Sequence, residues 1–231
     1  MISHITINSD DGDFRAYVAY PGRSNVPAVV VLHEVFGVNA DMRQTCSELA
    51  AAGFLAVCPD LFWRLEPGID LSVTSEADWK KALSLYAAFD RDKGRADIVA
   101  AASAAAGLEG ASGKVGLLGF CLGGLMTFLA LTRKHFDAAV MYHGAETEKY
   151  LGEADRISTP MLMHLAKEDE FISKDAQHQI KAALAGRPNV EIYSYGGCQH
   201  GFARHKGAHY DANAAALANG RTLTFLRRHL G

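Results

Sequence analysis

Lys114-Val115-Gly116-Leu117-Leu118-Gly119-Phe120-Cys121-Leu122-Gly123-Gly124 passes from an apolar segment through a glycine-flanked turn that holds a cysteine in the pattern G-x-C-x-G. Val115 to Leu118 has the unbroken hydrophobicity of a strand buried on both faces, and Leu122 to Lys134 reads as a helix. Strand, sharp turn and helix in this order form a nucleophile elbow. Glycine is required on both sides, because a Cβ at Gly119 or Gly123 would strike the neighbouring strand or helix. The turn pushes the thiol out beyond the sheet, at a helix N-terminus whose partial positive charge favours an anionic sulfur.

Working outward, the same kind of apolar run recurs at Ala28 to Leu32, Phe54 to Cys58, Ala138 to Tyr142, Met161 to Leu165 and Val190 to Tyr195. Helical stretches lie between them: Asp41 to Ala52, Glu76 to Ala88, Gly94 to Gly107, Lys174 to Ala185 and Asn213 to His229. The alternation predicts a mostly parallel sheet with helices on both faces. Ile5 to Ile7 and Phe14 to Tyr20 instead alternate apolar with polar around Asp10-Asp11-Gly12, which predicts an antiparallel N-terminal hairpin. An α/β architecture of about eight strands follows. With no linker, repeat or low-complexity block in the 231 residues, one domain spanning 1–231 is expected.

In such sheets ligands bind beyond the carboxyl ends of the strands. Those tips carry His33-Glu34, Asp60, Cys121, His143, Glu168-Asp169 and His200. A cysteine nucleophile needs a base and an orienting acid, in the chain order nucleophile, acid, histidine. Asp169 follows Cys121 by 48 residues and His200 follows Asp169 by 31, each just past an apolar run. Asp169 is expected to orient His200, and His200 to exchange a proton with Cys121. The run Glu34-Val35-Phe36-Gly37 follows the first buried strand, so the backbone N–H groups of Val35 and Leu122 are candidates for an oxyanion hole. A carboxylate beside a thiol disfavours the thiolate, and Glu34 is therefore expected to hold Cys121 neutral until a substrate moves it. Phe36 and Phe202 would be core by default, but each follows a strand tip and is a candidate wall of the substrate site; Trp63 is read either as opening a loop over the site or as a packing residue.

Composition narrows the classes. Twenty-three Lys and Arg against 26 Asp and Glu leave a net charge of -3, no footprint for nucleic acid and no basic membrane-facing patch. No apolar run approaches the roughly 18 residues of a membrane span. Met1-Ile2-Ser3-His4 lacks the basic and apolar segments of a signal peptide, so a cytoplasmic location is expected. The four cysteines show no C-x-x-C and the histidines no H-x-x-x-H, so neither a metal nor any other cofactor is expected. A monomer binding a small molecule is the expectation for partners.

Glu34-Val35-Phe36-Gly37-Val38-Asn39, Gly119-Phe120-Cys121-Leu122-Gly123-Gly124 and His200-Gly201-Phe202-Ala203-Arg204 together resemble the dienelactone hydrolase family, from about Ile5 to the C-terminus. The resemblance implies an α/β-hydrolase fold, a triad of Cys121, His200 and Asp169, and hydrolysis of a lactone or small carboxylic ester through an acyl-cysteine. It implies that Glu34 pairs with the thiol and swings away when a substrate carboxylate arrives, and that Arg204 grips that carboxylate. The family uses a second arginine there; a gap-free count back from Ala88-Phe89-Asp90 puts Trp79 at that position, with Lys80 and Lys81 beside it. The same count puts Leu83 and Tyr86 at aromatic pocket positions, so a pocket of different shape is expected. Other uses of such a cysteine are a sensor thiol on a non-catalytic protein of the same fold and an acyltransferase.

Overall fold

The computed structural model describes residues 2–231; Met1 of the expected 1–231 domain lies outside them. One eight-stranded sheet runs through the molecule: β1 (Ile2–Ser9), β2 (Gly12–Ala19), β3 (Val26–Leu32), β4 (Leu55–Pro59), β5 (Ala111–Phe120), β6 (Ala138–Tyr142), β7 (Met161–Ala166) and β8 (Val190–Tyr195). Its spatial order is β1-β2-β4-β3-β5-β6-β7-β8. The pairs β1/β2 and β2/β4 are antiparallel and all others are parallel. This is the expected mixed sheet with its N-terminal hairpin.

The helices are α1 (Ala40–Ala51), α2 (Glu76–Ala88), α3 (Arg91–Ala106), α4 (Leu122–Leu131), α5 (Lys174–Leu184) and α6 (Ala212–Leu230). Strand side chains alternate between two cores, as a pleat demands. Val30, Leu32, Val57, Leu117 and Met163 pack with α2, α3, α4 and α5, whereas Val29, Val31, Cys58, Leu118 and Leu162 pack with α1 and α6. Helix α3 begins three residues before the expected Gly94 because Asp90 caps it, its carboxylate accepting from the N–H groups of Asp92 and Lys93. The 3-10 segment Thr147–Arg156 was not expected from the sequence.

The central crossing is close. A Cβ at Gly119 would lie 2.0 Å from the carbonyl oxygen of Gly123, and one at Gly123 would lie 2.0 Å from that of Leu32. Helix α4 can dock on β3 and β5 at this height only with glycine at both positions. The segment after β8 is tied down from the opposite side. His205 Nδ1 sits 2.6 Å from Asp41 Oδ1 at the start of α1, and its Nε2 sits 3.0 Å from Glu48 Oε1. Hydrogen bonds to these two carboxylates push His205 up to about 10.

Two expected outcomes follow. Gly123→Ala should lower the unfolding free energy by ~3 kcal/mol or more, whereas Gly220→Ala, on the open face of α6 with nothing within 4 Å of its Cβ position, should raise it by up to ~1 kcal/mol; urea titrations compare them. The second concerns pH. His205 titrates near 6.5 when unfolded and near 10 when folded, so its clasp contributes fully below about pH 6.5 and is lost as pH rises through about 10. The melting temperature of His205→Gln should therefore fall less than that of the parent between pH 6 and pH 10; parallel slopes would contradict the clasp.

Candidate active site

Cys121 sits between β5 and α4 with φ 52 and ψ -113, a region that side chains rarely occupy. Its N–H donates to Tyr142 O and its carbonyl accepts from Leu125 N, so both neighbouring strand and helix hold the strained residue in place. His143 (φ 36) and Glu146 (φ 68) also have positive φ, and both stand within a few residues of the tip of β6 beside Cys121.

The three groups expected to act together are brought together. Asp169 follows β7 and is held by the N–H groups of Phe171 and Ile172, which donate to its Oδ1 at 2.8 and 3.1 Å. His200 Nδ1 lies 3.0 and 2.9 Å from the two Asp169 oxygens, which assigns the ring proton to Nδ1. Nε2 is buried with no hydrogen-bond partner among the described residues. A ring nitrogen of His200, Sγ of Cys121 and a carboxylate oxygen of Glu34 lie within 4.8 Å of one another. Burial pulls the His200 imidazolium down, but the Cys121 sulfur and the Asp169 carboxylate outweigh it and push His200 up to about 10. Burial raises Asp169, and the bond to His200 more than reverses this, leaving it below the usual carboxylate range.

Glu34 is engaged elsewhere than expected. Its Oε2 and Oε1 accept from Arg204 Nε and Nη2 at 2.6 and 2.8 Å, a two-pronged pair buried under the cavity floor. The expectation placed Glu34 on the thiol and left Arg204 free for a ligand anion. Two buried opposite charges this close satisfy each other first, since either alone would bear the full cost of desolvation. Burial alone would raise Glu34, but Arg204 holds it far below its ordinary value.

A cavity of about 310 Å³ opens over the sulfur, lined by Val35, Trp79, Leu83, Tyr86, Ala145, Glu146, Glu148, Lys149, Phe171 and Arg204 besides Cys121 and His200. Trp79 and Tyr86 are among the residues that line it. Trp79 Nε1 donates to Val73 O at 2.8 Å, which fixes its ring as an apolar wall. Tyr86 donates its hydroxyl proton to Glu146 Oε2 at 2.8 Å. Lys80 and Lys81 do not line the cavity, and Lys81 pairs with Glu66 instead. Val35 lies on the cavity and Leu122 is the first residue of α4, where its N–H has no partner within the helix.

The reading of Phe36 and Phe202 as walls of the site is corrected. Phe36 and Phe202 are fully buried and stand behind the cavity wall: Phe36 supports Trp79 edge-on at 4.7 Å, and Phe202 lies under Tyr195, Tyr142 and His143. Both follow strand tips, but their chains turn them inward. Of the two readings of Trp63 the structure favours packing: it stacks on Phe14 and donates to Asp97, beside a separate cleft of about 270 Å³ that contains no cysteine. His143, one of the groups at the strand tips, has no hydrogen-bond partner on either ring nitrogen among the described residues. Its ring packs on His200 at 4.3 Å, its Nε2 lies 3.8 Å from Glu34, and burial lowers it to about 4. His164, by contrast, is satisfied by Tyr195 and Thr222. Phe171, packed edge-on against His200 at 4.8 Å and half exposed, was missed. Its only sequence signal is its place two residues after Asp169.

The model of the dienelactone hydrolase family matches residues 14–230. A protein of Azospirillum brasilense assigned as a carboxymethylenebutenolidase is 43% identical over 224 residues, covering 96% of each chain. The carboxymethylenebutenolidase of Pseudomonas putida is 40% identical over 223 residues, covering 96% of this chain and 94% of that one. The crystal structure of a Klebsiella pneumoniae protein assigned as a dienelactone hydrolase superposes with a TM-score of 0.87 at 26% identity, covering 99% and 98% of the two chains. No helix among the described residues is long and apolar enough to cross a membrane. With this fold, elbow and full-length likeness, the chain belongs to the dienelactone hydrolase family.

Proposed function

We propose that this protein hydrolyses a lactone or small carboxylic ester through an acyl-cysteine on Cys121. The observation that carries the reading is the array Asp169, His200, Cys121 at the bottom of the cavity, with Nδ1 held by the carboxylate and Nε2 left over on the side of the sulfur. The name of the 40–43% identical relatives, carboxymethylenebutenolidase, describes the opening of an unsaturated lactone ring that bears a carboxylate arm.

In the first step Sγ bonds to the carbonyl carbon, and His200 holds the proton that leaves the sulfur. The N–H groups of Val35 and Leu122 receive the developing alkoxide; one such donor typically contributes about 100- to 1,000-fold in rate. As the carbonyl re-forms, the ring carbon–oxygen bond breaks and His200 delivers the proton to the departing oxygen, which stays attached to the acyl chain when the substrate is a lactone. Water then gives a proton to His200, attacks the thioester and restores the thiol. Asp169 holds the imidazole in the productive tautomer throughout.

Two cations line the cavity, Lys149, which pairs with Glu146, and the buried Arg204; Arg204 is the one that would grip an acidic arm, and to bind it fully the arm must displace Glu34 from the guanidinium. Trp79 supplies no second fork, so one bidentate contact replaces two. An anionic arm should therefore be favoured, but less strongly than with paired arginines.

Cys121→Ala should abolish turnover of activated esters and the acyl adduct seen by mass spectrometry; surviving activity would overturn the assignment. Across paired esters with and without a carboxylate, Arg204→Lys should raise KM for the anionic member about tenfold and change the neutral member little. Equal effects on both would remove Arg204 from substrate recognition.

A further inference from the structure

Sequence spacing conceals a second property of the site. No two of Glu34, Cys121 and His200 are close in sequence, yet folding places one ligand atom from each within 4.8 Å of the others. The donor set is a sulfur, an imidazole nitrogen and a carboxylate oxygen, which suits zinc and its softer relative cadmium better than calcium or magnesium. His200 is 2% exposed, and its Nε2 is unpartnered while Nδ1 is held by Asp169. A carboxylate on the far nitrogen is how proteins orient histidines that bind metals.

The fit needs modest movement. Around a tetrahedral ion with sulfur at about 2.3 Å and nitrogen and oxygen at about 2.0–2.2 Å, ligand atoms lie roughly 3.3–3.6 Å apart. The three groups would close by at most roughly 1.5 Å from their present limit of 4.8 Å, a distance that side-chain torsions of Glu34 and Cys121 cover. Glu34 need not leave Arg204 to take part, because each carboxylate oxygen keeps a further lone pair after accepting one N–H. Charge also closes: a divalent ion and the Arg204 guanidinium stand against a Cys121 thiolate, Glu34 and Asp169. No net charge is then buried, which removes the main objection to a cation beside an arginine. The fourth coordination position faces the cavity and stays open to water.

We propose that the candidate active site is also a reversible binding site for a soft divalent cation, ligated by Cys121 Sγ, His200 Nε2 and the Glu34 carboxylate, and that the bound ion silences the cysteine. On binding, a metal–sulfur bond forms, the sulfur–hydrogen bond of the Cys121 thiol breaks and its proton leaves to solvent; no electron is transferred. A chelator reverses the step. The inference rests on the geometry of the three groups and holds whichever ester the protein takes.

The experiment uses the full chain, reduced and freed of metal. Zinc chloride is titrated calorimetrically, cadmium chloride is followed by its sulfur-to-metal charge-transfer absorption, and alkylation of Cys121 by iodoacetamide is timed by mass spectrometry. Expected are one ion per chain, alkylation slowed at least about tenfold at saturation and restored by EDTA, and binding weakened about tenfold or more by Glu34→Gln. The cadmium band should vanish in Cys121→Ala, which separates this sulfur from those of Cys46, Cys58 and Cys198. Alkylation unaffected by millimolar zinc, a band that persists in Cys121→Ala, or equal affinity in Glu34→Gln would overturn the proposal. Because these readouts follow the sulfur and not turnover, their failure leaves ester hydrolysis standing, and loss of hydrolysis would leave the metal site standing.

Discussion

Two pieces of backbone that almost touch set the geometry of everything at the top of the sheet. Gly123 at the start of α4 lies against the carbonyl of Leu32, and Gly119 at the end of β5 lies against the carbonyl of Gly123. With no side chain at either place, α4 drops low enough for its first residue to stand at the level of the strand tips. The price is local strain, carried by Cys121 at φ 52. That strain persists because the hydrogen bonds to Tyr142 and Leu125 and the buried α4 around it leave the residue no alternative. A thiol on an ordinary helix turn or strand would lie in the core or on a flank, away from His200.

Around this fixed sulfur the protein assembles an unusual density of buried charge. Glu34, Arg204, Asp169 and His200 are all under a tenth exposed, and His143 is packed among them. Each carboxylate has a cationic or proton-donating partner: Arg204 for Glu34 and His200 for Asp169. Among the described residues His143 has no hydrogen-bond partner, with Glu34 3.8 Å away, and burial keeps it neutral. A third cation here would compete with His200 for Asp169 and with Arg204 for Glu34. The neutral ring instead fills space against His200 and limits how the base can tilt.

Periodicity was enough for the strands, because each central strand is buried on both faces and so shows an unbroken apolar run. It was also enough for the elbow, since G-x-C-x-G states a steric requirement in letters. Cys121, Asp169 and His200 were legible for the same reason: sheet topology turns chain order into spatial proximity. Glu34 was legible as a neighbour of the thiol but not as the partner of Arg204, because that pair spans 170 residues and is chosen by mutual desolvation. Phe36 and Phe202 failed the other way. A strand tip says that a residue is near the site, whereas its rotamer, set by Trp79 in one case and by Tyr195 in the other, decides whether it faces ligand or core. The start of α3 was missed because a capping Asp90 can outweigh a weak apolar pattern.

Trp79 takes part in more than one contact. Its ring rests on Phe36 and lies near the Arg204 guanidinium, 5.9 Å from that carbon to the ring centroid, while its indole N–H is spent on Val73. Arg204 is therefore held from below by Glu34 and flanked by two aromatic faces, Phe36 and Trp79. An aromatic flank steadies a guanidinium without neutralising it. A second arginine in place of Trp79 would repel Arg204 and strengthen the case for a dianionic or tightly gripped carboxylate ligand. With tryptophan there, the cavity joins the buried Arg204 to an apolar wall of Trp79, Leu83, Val35 and Phe171, with Glu146, Glu148 and Lys149 completing its lining.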